Sequence, residues 1–466
     1  MTDDNIMREL TFSNRDEFTR KPIAEKIIKL LDSDIDVSPL IIDGKWGTGK
    51  TEFCFKLKNL IKADSSNNYK IGYVNAFQAD HTNEPLLTLI SEIVSFYPKK
   101  SYQRKKLIKN AVPYLRLVGG IGLKAGLGFA FGRYAADIPE ELSKGMETIE
   151  EGSKELIDLS LESLIEDQAE AERSLNTLKN VLTDITAENP VILLIDELDR
   201  CRPDFAVMML ETIKHVFDVE NVQIILITNA EQLKATIKHS YGSETDSHSY
   251  LYKFFKYQIN LPTTSKDKDN QSVKNNVTYF EKVVRDSKVI SQEFKDNQFI
   301  YEIPTFLNVD TLSLRNIEQI VRCVEALVVF EDNKEQNQSP TVEQILMVFL
   351  SFVYMMDKDL LEQIIKRSIN SDKFLGFTNS SRLDMTSSYV RSEILTDLSV
   401  KHLFLIIFEK ISTIPFLDLP VSTIDRQSVM ARIEVSLSKY DYIEDAHCDK
   451  YVKQTINNLL LFDIVK

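Results

Sequence analysis

Residues 44 to 51 read Gly-Lys-Trp-Gly-Thr-Gly-Lys-Thr, a full match to G-x-x-x-x-G-K-[ST]. The chemistry this spacing offers is phosphate binding. Glycines let the backbone wrap until several N–H groups point at one phosphate, and a helix starting there adds the positive end of its dipole. The expected nucleotide-binding set is Gly44, Lys45, Trp46, Gly47, Thr48, Gly49, Lys50, Thr51 and Glu52. Lys50 supplies a point charge for the β- and γ-phosphates, and the Thr51 hydroxyl is offered to Mg²⁺. A second run, Val191-Ile-Leu-Leu-Ile-Asp-Glu-Leu-Asp199, places two adjacent acids after five apolar residues. Asp196 is expected in the Mg²⁺ shell, with Thr51. Glu197 is expected to polarise the attacking water. A strand that ends in solvated acids is the plainer alternative. Asn229, at the tip of the next apolar run, is a candidate sensor of the γ-phosphate. No Asn-Lys-x-Asp guanine signature occurs, which favours ATP over GTP as the substrate.

These groups work only if strands and helices position them. Residues 39–43 form a short apolar strand that leads into the glycine turn and a helix over 51–62. Residues 71–77, 191–195 and 222–228 read as further strands, with helices over 15–31, 85–96 and 203–217. Continuous apolar strands that alternate with helices imply an α/β fold, a parallel sheet with helices on both faces. The pattern changes after Pro262. A polar linker over 263–275 precedes a mainly α-helical region, with a second polar break at 331–340. The expected domains are therefore 1–262, with a helical insertion over about 99–186, then a helical lid over 263–330 and a helical C-terminal domain over 331–466. Residues 345–356 are apolar but too short to span a bilayer, so they read as a buried helix.

The chain has 466 residues, of which 43% are apolar and 27% charged, the composition of a globular protein. Its formal net charge of -14 disfavours nucleic acid as a partner. The basic run at 99–109 reads as a solvated helix end. Cys54, Cys201, Cys323 and Cys448 form no C-x-x-C pair, which fits a reducing cytoplasm. The N-terminus lacks a signal-peptide core.

Four segments in order resemble the KAP family of P-loop NTPases, relatives of the STAND and AAA+ groups. They are the phosphate-loop helix, Val74-Asn-Ala-Phe-Gln78 with the later Pro85-Leu-Leu, Asp196-Glu-Leu-Asp-Arg-Cys-Arg-Pro203, and Tyr250-Leu-Tyr-Lys-Phe-Phe255 running to Pro262. The resemblance implies an extra strand between the two motifs, which residues 71–77 fit, and a helical domain carrying a sensor arginine, which Arg315 fits. It implies ATP hydrolysis, self-association into a homo-oligomer, an unidentified protein effector and, in bacterial relatives, anti-phage defence. Arg200, Arg202 and Lys253 are candidates for a charge donated across a subunit contact. Arg200 paired with an acid such as Asp199 is the structural alternative. Many members insert transmembrane helices between the motifs. Here the Gly-rich residues 111–136 take that place, interrupted by Arg116, Lys124 and Arg133. A glycine-packed hairpin is favoured over a membrane span. Peripheral attachment to the inner membrane, as a slow nucleotide-binding scaffold, is a rival reading. A nucleic-acid-stimulated motor is another.

Overall fold

The computed structural model describes residue 7, residues 9–64, 68–118, 161–266, 271–331, 341–369 and 445–462, and residues 373, 376 and 377. Two compact units divide the chain between Pro262 and Thr263.

In the first unit, helix α1 (Lys21–Leu31) precedes strand β1 (Leu40–Asp43) and helix α2 (Lys50–Ala63). Strand β2 (Lys70–Asn75), the one-turn α3 (Ala76–Ala79), α4 (Pro85–Ser95) and α5 (Tyr102–Val118) follow. After α6 (Leu161–Thr186) come β3 (Val191–Asp196), α7 (Pro203–Val216), β4 (Val222–Thr228), α8 (Ala230–Tyr241), α9 (Ser247–Tyr252) and β5 (Tyr257–Asn260). The five strands are parallel, in the order β2-β3-β4-β1-β5.

Alternation along each strand feeds two cores. Ile192 and Leu194 of β3, with Ile225 and Ile227 of β4 and Leu40 and Ile42 of β1, pack under α1 and α2 through Ala24, Ile27, Phe53 and Leu57. Leu193, Ile195, Ile224, Leu226 and Ile41 face the other way, toward Ile90 of α4, Leu182 of α6, Phe205 of α7 and Leu233 of α8. The fold class is therefore the expected one, a parallel sheet with helices on both faces. In space, β4 lies between the strands that carry the two motifs, while β2 sits at the sheet edge.

Three boundaries differ from the sequence reading. Helix α1 starts at Lys21 rather than near residue 15, because Pro22 belongs in a first turn and Thr19 adopts φ +50°. Strand β2 stops at Asn75, whose side chain accepts from Gln78 N at 2.9 Å and so caps α3. The polar stretch 263–275 contains an antiparallel pair, β6 (Thr264–Lys266) with β7 (Ser272–Lys274). Neither these short polar strands nor the largely exposed β5 carries the apolar alternation that reveals a strand in a sequence.

Helices α5 and α6 pack together through Leu107, Leu115, Leu178 and Leu182. The basic run is partly absorbed there. Arg104 is buried and donates to Tyr97 O, and Lys106 pairs with Asp184 at 2.9 Å. Residues 119–136 of the Gly-rich stretch lie outside the described residues. No described helix is long and apolar enough to cross a membrane.

The second unit begins with β6 and β7 and continues with α10 (Asn275–Asp286), α11 (Gln292–Asp296), α12 (Phe299–Phe306), α13 (Leu314–Glu331), α14 (Thr341–Met356), α15 (Lys358–Lys366) and α16 (Asp445–Leu459). Helix α14 is buried all round from Ile345 to Tyr354, as an all-apolar helix must be. Phe280 of α10 joins it through an aromatic contact with Phe352.

Candidate nucleotide-binding site

Register brings the chemistry to one edge of the sheet. Asn75 pairs with Asp196 across β2 and β3, and Asp43 pairs with Thr228 across β1 and β4. The C-terminal tips of four strands thus form a row, the edge at which open parallel sheets bind ligands.

The phosphate loop joins β1 to α2. Gly47 and Gly49 hold φ of 69° and 80°, left-handed values that suit glycine. A Cβ on Gly44 would lie 2.9 Å from Thr48 Oγ1 and 3.3 Å from Lys50 Cγ, so the loop closes tightly over its own lysine. Lys50 Nζ donates to Gly44 O at 2.8 Å and Lys45 O at 3.1 Å. Burial lowers the pKa of this ammonium, and the charges of Asp199 and Asp196 oppose that shift.

Thr51 and Asp196 meet. The threonine hydroxyl hydrogen-bonds the Asp196 carboxylate, which also accepts from Glu197 N at 2.8 Å and from Tyr73 OH at 3.3 Å. Asp196 is only 1% exposed, and burial pushes its carboxyl up to about 6 despite these bonds. A buried carboxylate so poorly compensated, with a hydroxyl beside it, fits a hard divalent cation such as Mg²⁺.

Glu197 is half-buried and stands in the left-handed region at φ 63°. Its Oε2 accepts from Asn75 Nδ2 at 3.1 Å, and its Oε1 pairs with Arg200 at 3.2 Å. The alternative partner expected for Arg200, Asp199, is engaged elsewhere. Asp199 is 4% exposed, and its carboxylate accepts from the Trp46 indole of the phosphate loop and from Thr228 Oγ1 at 3.1 Å.

The remaining expected residues are placed differently. Glu52 points to cations, pairing with Lys56 at 2.6 Å and Arg15 at 3.4 Å. Asn229 caps α8, its Oδ1 accepting from Gln232 N at 3.3 Å. Arg202 is committed within its own chain to Asp80, at 3.1 Å, and to Asn83. Lys253 is exposed, over the ring of Tyr250. Arg315 is an exposed residue in the first turn of α13, in the second unit.

Sequence reasoning missed Arg20. It is 4% exposed, donates to Thr48 O at 2.8 Å and to Pro262 O at 3.3 Å, and so ties the phosphate loop to the end of the first unit. Burial lowers its guanidinium to about 10. No spacing flags a lone arginine before a helix. Tyr73 is equally hidden as a polar residue in a strand, and Asn75, although inside the Val74–Gln78 segment, has no role assigned by the sequence.

A glycine loop between strand and helix, with a buried Asp and a half-buried Glu at the tip of a neighbouring strand of a parallel sheet, defines a P-loop NTPase. The KAP family P-loop domain matches residues 20–331, more than half of the chain, and the chain belongs to that family. Two solved structures are similar over nearly the whole chain. The Aeropyrum pernix Orc1 protein in complex with DNA shares 14% identity, covering 94% of this chain and 90% of that one, with a TM-score of 0.32. AMPPCP-bound DnaA from Aquifex aeolicus shares 13%, covering 96% and 98%, also at 0.32. No curated protein matches.

Proposed function

We propose that this chain binds ATP with Mg²⁺, hydrolyses it, and uses the nucleotide state as a switch for self-association. The observation that carries the reading is the Trp46–Asp199 hydrogen bond, which joins the phosphate loop to the turn that follows Asp196 and Glu197 at the tip of β3. Lys50 exchanges the carbonyls of Gly44 and Lys45 for β- and γ-phosphate oxygens. Thr51 and Asp196 would hold Mg²⁺, which would supply positive charge against the phosphates. Glu197 takes a proton as water attacks the γ-phosphorus. The bond from that phosphorus to the β–γ bridging oxygen breaks, and ADP leaves with the electron pair. For this, Glu197 must first leave Asn75 and Arg200.

Arg200 is the proposed trans donor of the three basic candidates: its one ion pair within the chain, to Glu197, is the contact that turnover must break, whereas Arg202 is held by both Asp80 and Asn83 and Lys253 lies over the Tyr250 ring. Arg315 remains the proposed sensor arginine that the family resemblance implies. Cytoplasmic placement is supported by the free, buried Cys54, Cys201 and Cys323. A protein effector and a role in phage defence rest on the family resemblance, and phage plating on cells that express wild type or Glu197→Gln tests the latter.

The biochemical test compares wild type with Lys50→Ala. Mg-ATP is expected to raise the melting temperature of the wild type and leave the variant unmoved, and only the wild type is expected to release phosphate. An equal thermal response in both proteins overturns the site.

A further inference from the structure

A groove of about 460 Å³ opens beside the start of α4, where one face of α7 and Tyr114 of α5 complete its described lining. Glu84 lies in its wall, 8% exposed. The Glu84 backbone is satisfied, with N donating to Thr82 Oγ1 at 3.3 Å and O accepting from Thr88 N at 3.1 Å. Its carboxylate has no hydrogen-bond or ion-pair partner among the described residues, and burial alone raises it to about 7. A carboxyl held this way gains most from a cation that enters the groove.

The rest of the wall says which cation. Asp204 and Glu211 stand seven residues apart on α7, about 10 Å along the helix. Glu211 is held in place by Tyr241 OH at 3.1 Å. Leu86, Met208 and Val216 supply apolar surface in the same groove. No group of three metal-ligating side chains converges among the described residues, so the acids are too dispersed for one compact metal ion. Spaced anions with aliphatic wall between them match spaced ammonium groups on a methylene chain.

We propose that this groove binds a linear polyamine, with ammonium groups on Glu84, Asp204 and Glu211 and methylenes against Leu86 and Met208. The proposal is independent of the ATPase reading, because none of these residues belongs to the nucleotide site.

The test is calorimetric titration of the full chain with spermidine at pH 8 without nucleotide, against MgCl₂ at matched ionic strength. Saturable one-to-one binding is expected, weakened about tenfold or more by Glu84→Gln and about threefold by Asp204→Asn. Circular dichroism checks that both variants fold. Asp204 is exposed, so its variant reports even if Glu84→Gln does not fold. Absence of saturable spermidine binding, reproduction of the signal by Mg²⁺, or unchanged affinity in the folded variants overturns the proposal.

Discussion

Asn75 Nδ2 donates to Glu197 Oε2 at 3.1 Å while Arg200 holds the other oxygen at 3.2 Å, so both oxygens of the proposed base are occupied. The restraint suggests that turnover is limited by release of the acid. Asn75→Ser keeps a capping oxygen for α3 but is too short to reach Glu197. We expect kcat to rise by about two- to tenfold, the worth of one hydrogen bond at 0.5–1.5 kcal/mol. A steady-state assay at saturating Mg-ATP measures it. A fall in kcat would mean that Asn75 aims the base rather than restraining it.

The adjacent acids should separate binding from chemistry. Glu197→Gln is expected to retain ATP affinity and to lose turnover by about 10²- to 10⁴-fold. Asp196→Asn should instead weaken Mg-ATP binding itself. Fluorescence titration and phosphate release, run in parallel, distinguish the two. Turnover near wild type in Glu197→Gln would move the base to another residue.

Asp199 is a strut between the phosphate loop and β4. Asp199→Ala leaves the Thr228 hydroxyl and the Trp46 indole without their acceptor. We expect a loss of about 1–3 kcal/mol in urea unfolding of the first unit. Trp46 is the single tryptophan of the chain, so the same variant should shift tryptophan emission. Unchanged emission would remove the strut.

The arginines after β3 should behave differently when proteins are mixed. If Arg200 acts in trans, specific activity rises with protein concentration, Arg200→Ala abolishes the rise, and added Lys50→Ala protein restores it. Arg202→Ala should lower the melting temperature, because Asp80 and Asn83 lose the guanidinium and Asp80 keeps only the backbone N–H of residue 202, and no mixture should rescue it. A protein that stays monomeric with ATP, with activity independent of concentration, refutes the trans donor.

Glu84 sets a pH dependence of stability. Its folded carboxyl sits at about 7, above the ordinary carboxylate value. The folded state therefore binds the extra proton, and stability falls as pH rises from the unfolded value toward 7. Glu84→Gln removes that loss. The variant and the wild type should melt together at pH 5, and the variant should melt roughly 2–4 °C higher at pH 8. A gap of the same size at both pH values would place the effect elsewhere.

The amino-acid sequence alone determined the parts of this protein whose chemistry is contiguous in the chain. The phosphate loop works through successive backbone amides and one lysine, so Gly44 to Thr51 suffice to reveal it. Five apolar residues before Asp196 and Glu197 likewise announce a strand buried on both faces with acids at its tip, and the alternation of such strands with helices implies the parallel sheet. The tertiary structure alone decided what those acids touch. Asn75 and Glu197 lie 122 residues apart, and Trp46 and Asp199 lie 153 apart. Their meeting depends on strand order and register. β2 lies beside β3, with Asn75 opposite Asp196, and β4 stands between β3 and β1. Apolar periodicity records which face of a strand is buried but not which strand lies beside it. For the same reason the sequence leaves Arg202 a candidate finger, and only the fold sets it against Asp80.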